Sequence, residues 1–231
     1  MCGRKTLTKD IASIIHEMDI EECEANNYIP NYNIAPTQFS PILIKHNNKR
    51  RIKMMKWGLI PNWSKDLSIG SKMINARIET IMEKPSFNSL IHSNRCIVLV
   101  DGYYEWDNTT SQPYYLYHQK KHILPIAGLW TKWQTPNSKS IYSYTVITTT
   151  PKKNISRIHN RMPVVLHENY IETWINSKND NILTILEKIK KYKPSLQFHP
   201  ISKTVNFISN NSKKCIEPTQ IETTIDCFKN K

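Results

Sequence analysis

The chain has 231 residues, 39% of them hydrophobic, enough for one large or two small cores and too many for a disordered protein. No long uncharged apolar run is present, and the opening MCGRKTLTKD lacks the apolar segment of a secretory signal, so an intracellular, cytoplasmic protein without a membrane span is expected. The net charge of +13 favours polyanionic partners, nucleic acid first among them, although a lysine-rich coding bias accounts for the charge about as well.

In chain order, Ile11, Ile14, Ile15 and Met18 follow Thr8, a candidate cap, at one-face helical spacing. Short β-rich runs then predict strands over Pro41–His46, Lys53–Trp57, Cys96–Val100, Tyr114–Tyr117, Ile126–Trp130 and Tyr142–Thr149. Glu168–Asn176 reads as a helix, and Ile182, Ile185, Leu186 and Ile189 repeat the helical spacing beyond Asp180. Strands in the middle and helices near the ends predict an α+β fold with a curved, barrel-like mixed or antiparallel sheet. No repeat or linker divides the chain, so one domain over 1–225 is expected, with a frayed tail after Asp226. Five scattered cysteines never form C-x-x-C, and the histidines lack ligand spacing, so neither disulfide framework, metal nor cofactor is expected.

Cys2 follows the initiator Met and precedes Gly3. A small second residue permits removal of Met1, which would leave a free 1,2-aminothiol. An α-amino group has a reference pKa of ~7.7–8.0 against ~10.4 for lysine, so about a tenth of it is a free nucleophile at neutral pH. The thiol on the same residue can close onto an imine formed there, giving a five-membered thiazolidine. This chemistry requires an exposed Cys2. A random codon choice at position two is the plainer explanation of Cys2 alone.

Three interior stretches add to it. Asn75-Ala76-Arg77-Ile78-Glu79-Thr80 sets an amide, a guanidinium and a carboxylate on alternate residues, one face of an extended segment. Asp101-Gly102-Tyr103-Tyr104-Glu105-Trp106 sets carboxylates among aromatics, and Ile158-His159-Asn160-Arg161-Met162-Pro163 precedes an apolar run. Each has an ordinary structural explanation: a salt-bridged ladder, an aromatic core cluster, a capped loop.

Together with Met1-Cys2-Gly3-Arg4 these stretches resemble the SRAP (SOS-response-associated peptidase) family of abasic-site processing proteins. The resemblance extends through Tyr32-Asn33-Ile34-Ala35-Pro36, Trp57-Gly58-Leu59-Ile60-Pro61 with Trp63, Arg95-Cys96, Ala127-Gly128-Leu129-Trp130, Thr148, Val205-Asn206 and Ile216-Glu217-Pro218. Leu99-Val100 depart from the Pro-Ala of many members, as does Pro151 in a variable loop. The resemblance implies that Cys2 traps the aldehyde of an abasic site in single-stranded DNA, with weak lyase activity through the same imine and autocatalytic loss of Met1. It implies Glu105 near the Cys2 amine, His159 as acid or base toward the sugar hydroxyl, and Asn75 holding the amine or the sugar. Arg4, Arg77 and Arg161 would hold phosphates, with Thr148 part of the same DNA-binding surface. Trp63 and Trp106 would stack on bases, and Pro36 and Met162 would make apolar contacts. Trp57 and Trp130, inside apolar strands, read as core. A monomer is expected, with a replication-fork partner left open. Two alternatives stand beside this: a class II glutamine amidotransferase, which also begins Met-Cys-Gly but normally carries an Asn-Gly pair lacking here, and a non-covalent nucleic-acid-binding module.

Overall fold

A computed structural model describes residues 2–135, 137–151, 153–176 and 181–220. The α+β expectation holds. In chain order the elements are β1 (Arg4–Leu7), α1 (Ile11–Met18), β2 (Glu22–Glu24), β3 (Asn31–Ile34), β4 (Phe39–His46), β5 (Lys49–Trp57), β6 (Asn75–Arg77), α2 (Pro85–Ser93), β7 (Arg95–Val100), β8 (Gly102–Trp106), β9 (Pro113–His118), β10 (Leu124–Gln134), β11 (Ser140–Thr149), α3 (Lys153–Ser156), β12 (Met162–Pro163), α4 (Glu168–Ile175), α5 (Ile182–Lys191) and β13 (Leu196–Pro200). Every strand expected from composition lies inside an observed one. Those not among the expected strands are short or carry polar residues: β1, β2, β3, β6, β8, β12 and β13.

Strands β4, β5, β7, β10 and β11 form a closed ring. Antiparallel pairing runs β5–β4–β7–β10–β11, and a parallel contact of Ser143 and Tyr144 with Lys56 and Trp57 joins β11 back to β5. All six residues of β7 are buried because it lies mid-sheet under α4, so it reads as a continuous apolar run rather than an alternation. A second, five-stranded sheet has the order β13-β9-β8-β1-β3. Asp101 and Gly102 mark the step between the two. The Asp101 carboxylate accepts from the Thr8 backbone N–H (2.5 Å), the Thr8 hydroxyl (2.7 Å) and the Thr6 hydroxyl. Gly102 is required because a Cβ there would lie 2.3 Å from the Tyr115 ring.

The structure corrects the first helix cap. Asp10, not Thr8, caps α1, accepting from Ser13 N at 2.8 Å, while Thr8 is drawn to Asp101. At α5 Asn181 is the cap; Asp180, and the tail expected to fray after Asp226, lie outside the described residues. Arg95 is almost fully buried, has no carboxylate partner among the described residues, and donates to the carbonyls of Ile91 (2.7 Å), Trp174 (2.5 Å) and Asn176 (2.5 Å), tying α2 and α4 to β7. Arg95→Ala strands these acceptors and empties a large buried volume, so a loss of about 3 kcal/mol or more is expected in urea unfolding. Among the described residues no helix is long and apolar enough to cross a membrane.

Candidate functional site

Cys2 lies where the two sheets meet. The β1–β8 pairing sets Arg4 opposite Tyr104 and Lys5 opposite Tyr103, which brings the chain start alongside Glu105. On the other side β6 pairs in parallel with β11, setting Asn75 opposite Val146. Asn75 Nδ2 donates to the Cys2 carbonyl at 2.9 Å. This differs in detail from the expected hold on an amine or a sugar: the amide grips the Cys2 carbonyl, and its Oδ1 is buried with no partner among the described residues. Asn75 and Arg77 share one face of β6 across buried Ala76, as the extended pattern predicts, but the strand ends at Arg77 and Glu79 lies in the turn that follows.

Glu105 is buried on β8, and its Oε2 lies 3.9 Å from His159 Nε2. Burial pushes the Glu105 carboxyl up to about 8, so it holds its proton at neutral pH. Burial pushes His159 the other way, toward the neutral ring. The backbone N–H of Arg161 donates to His159 Nδ1 at 3.0 Å, so the neutral ring carries its proton on Nε2, facing Glu105. His159 is therefore anchored in its loop through Nδ1, while its Nε2 points toward Glu105. A cavity of about 340 Å³ lined by Glu105, Trp106, Asp107, Asn108, Ser111 and His159 opens here.

The expectation of an exposed Cys2 fails. With Met1 attached, Cys2 is fully buried within the apolar core cluster, and burial, with the nearby Glu105, pushes its thiol well above the ordinary range. The reason is positional: the residue precedes an inner strand and sits between two sheets. Met162 and Thr148 are likewise buried, because β12 pairs with the inner strand β11; neither side chain is at the surface expected for a DNA contact.

The arginines differ from one another. Arg161 is committed, bidentate to Glu79 at 3.0 and 2.8 Å and donating to the Thr148 carbonyl at 2.7 Å. Arg4 is also held internally, by Asn33 Oδ1 (2.7 Å) and the Val205 carbonyl (2.9 Å), with its guanidinium 6.0 Å from the Trp106 ring. Arg77 is exposed and has no ion pair among the described residues. Trp63 is 60% exposed, Pro36 is half-buried, and Trp106 is half-buried with its Nε1 donating to Asn206 Oδ1 at 2.9 Å. Trp57 is fully buried and Trp130 packs partly buried against the core, as expected. The Val205-Asn206 motif acquires its meaning only here: it fastens the distant end of the chain to Arg4, Asn33 and Trp106.

The family model described as SOS response associated peptidase (SRAP) matches residues 1–208. The chain belongs to the SRAP family. It is 38% identical to the abasic site processing protein YoqW of Bacillus subtilis (strain 168), over 94% of this chain and 99% of that one. It is 31% identical to the abasic site processing protein HMCES of Rattus norvegicus, over 86% of this chain and 67% of that one. A solved structure of a protein from Bacteroides thetaiotaomicron shares the fold, with a TM-score of 0.83 at 22% identity, covering 95% of this chain and all of that one.

Sequence reasoning missed the burial of Lys5 on β1: a lysine in a strand reads as solvent-facing, and only the tertiary packing puts it inside, with its Nζ donating to Ser40 Oγ at 2.9 Å.

Proposed function

We propose that this SRAP protein captures abasic sites in single-stranded DNA as a covalent adduct of Cys2 once Met1 has been removed. The observation that carries this reading is the convergence of Asn75, Glu105 and His159 on the start of the chain, with Asn75 on the Cys2 carbonyl at 2.9 Å and Glu105 3.9 Å from His159. The names of the relatives at 38% and 31% identity support the substrate.

An abasic deoxyribose equilibrates between a closed hemiacetal and an open aldehyde, and each later step moves a proton. The Cys2 nitrogen, an amine only after the Met1–Cys2 bond is cleaved, adds to the aldehyde carbon. The resulting carbinolamine loses its hydroxyl as water, with a protonated Glu105 as the acid. His159 Nε2–H faces the sugar hydroxyl and assists ring opening. The Cys2 sulfur then bonds the imine carbon and closes a thiazolidine. If closure fails, the imine loses its α-proton and the 3′ phosphate, which is lyase activity from the same intermediate. Cleavage at Met1 is required to create the amine, and the buried Cys2 must then become accessible to the sugar. Cys2 as nucleophile, or a methionine aminopeptidase, can perform it. The amidotransferase alternative has no Asn-Gly pair to form an oxyanion hole.

Purified protein mixed with a uracil-glycosylase-treated single-stranded oligonucleotide tests the reading. A denaturing gel is expected to show a shifted band, and intact mass is expected to show protein lacking Met1 plus DNA minus one water. A band that disappears on denaturation would reduce the protein to a non-covalent binder.

DNA affinity should rest on the uncommitted groups. Arg77→Ala is expected to weaken binding to all sequences alike and to lower the slope of log affinity against log salt by about 1. Arg161→Ala is expected to lower thermal stability as well, because it also leaves Glu79 without its bidentate partner. Trp63→Ala should remove about 1–3 kcal/mol of stacking, read in a fluorescence titration.

A further inference from the structure

The five-stranded sheet has a face that the Cys2 chemistry does not use. Along β8, Tyr103 packs into the main core with Cys2, whereas Tyr104 turns to the opposite face and joins a smaller cluster with Tyr115. On that opposite face, at the Asp101 end of β8, lies a cavity of about 520 Å³. It shares no lining residue with the one beside Glu105 and His159. Aromatic rings make up much of its lining. Tyr115 and Tyr117 on β9 stack with centroids 5.3 Å apart and planes 15° apart, and His199 on β13 lies 5.8 and 5.4 Å from them. Tyr32 on β3 adds a fourth ring, and Tyr32 and Tyr117 are both only half-buried. The wall is fastened in place: His199 Nε2 donates to the Ile216 carbonyl at 2.8 Å, and the Thr219 N–H to the Pro200 carbonyl at 3.0 Å. The charged groups differ in how far they are committed. The Asp101 carboxylate is taken by Thr6 and Thr8, and Lys9 pairs with Glu17 at 2.8 Å. Lys121 and Lys213 are exposed and form no ion pair among the described residues, against the exposed carboxylate of Glu217. Flat rings beside uncommitted ammonium groups suit a ligand that is itself flat at one end and anionic at the other. The volume falls within the range of about 300–1,000 Å³ usual for small-molecule sites.

We propose that this cavity binds a nucleotide, with the base packed against the Tyr32 and Tyr117 rings and the phosphate held by Lys121 and Lys213. A base has a π-face whatever its identity, so stacking of this kind accepts all four. The phosphate supplies what an uncharged aromatic ligand lacks, a partner for the two lysines. The same chemistry is presented by a free nucleoside monophosphate and by a nucleotide of single-stranded DNA lying on this side of the sheet. Binding here is non-covalent and independent of Cys2.

The test titrates the full chain with deoxyadenosine monophosphate, deoxyadenosine, inorganic phosphate and a short oligodeoxyadenylate free of abasic sites, by calorimetry and by amide NMR shifts. Deoxyadenosine monophosphate should bind about tenfold or more tightly than either deoxyadenosine or phosphate, and should shift the amides of Lys121, Lys213 and Ile216. The double variant Lys121→Glu, Lys213→Glu should weaken it by about tenfold, and Tyr117→Leu by about 5- to 100-fold. Thermal melts establish folding; if Tyr117→Leu does not fold, the double lysine variant, altered only at exposed side chains, decides. The oligonucleotide distinguishes the two sources. Competition for the same amides identifies a nucleotide within a strand, and binding of the monophosphate alone identifies a free nucleotide; either result upholds the site. Failure of both ligands to shift these amides, or wild-type affinity in the folded variants, would overturn it. That failure would leave the Cys2 adduct standing, and loss of the adduct would leave this site standing.

Discussion

Cys2→Ala is expected to abolish the denaturation-resistant complex with abasic DNA, while reversible binding to single strands persists. Cys2→Ser separates the two functional atoms of the residue. It keeps the amine, so an imine still forms and borohydride still traps it, but the oxygen makes a poorer ring, so the unreduced adduct should be weaker and more reversible. The order wild type, serine, alanine in adduct lifetime is the signature of an aminothiol; equal loss in both variants, with no imine trapped by borohydride in either, would mean that sulfur alone reacts. The buried position of Cys2 adds a second measurement. A cyanobenzothiazole reagent condenses with N-terminal cysteine and not with internal cysteine. Protein lacking Met1 should take up one label and compete with abasic DNA for it, and protein retaining Met1 should take up none. Failure of the Met1-free protein to label would mean that the residue stays enclosed and the adduct has no route.

Glu105→Gln should slow adduct formation by about 100-fold while making the protein more stable at high pH. Both effects come from the same burial. Glu105 is raised from an ordinary 4.5 to about 8, so the folded state holds this proton more tightly than the unfolded state. Its contribution to stability is therefore fully present below about pH 4.5 and is lost as the pH rises through about 8. Glutamine has no such dependence. The difference in unfolding free energy between variant and wild type, read in urea unfolding, should grow across that interval, reaching on the order of 3 kcal/mol near neutrality. The wild-type rate of imine formation should fall as Glu105 loses its proton above about 8. A purely structural Glu105 would give the stability effect without the change in rate.

The apolar stretches gave away the ring of strands. The runs in β4, β5, β7, β10 and β11 carry β-branched or aromatic residues, because a strand buried in a closed sheet must be apolar nearly throughout. The strands around the site were harder to read. In β1 a buried lysine and threonine find their partners, Ser40 and Asp101, far along the chain, and in β8 a buried glycine and glutamate interrupt the apolar run. Local pattern carries no trace of such partners. The same limit explains Thr8, whose hydroxyl would cap α1 were Asp101 not beside it.

Sequence by itself determined which side chains can do chemistry: a thiol at Cys2, an amide at Asn75, a carboxyl at Glu105 and an imidazole at His159, in a chain that matches the SRAP family. Those identities are covalent facts. Only the tertiary structure decided their states and their accessibility. It enclosed Cys2, took Arg4 and Arg161 into internal hydrogen bonds, sank Thr148 and Met162 beneath the surface, left Arg77 and Trp63 open, and buried Lys5 on β1. Proton affinity and exposure depend on what surrounds a group in three dimensions, and here those surroundings come from strands up to two hundred residues apart, as when Arg4 reaches the Val205 carbonyl.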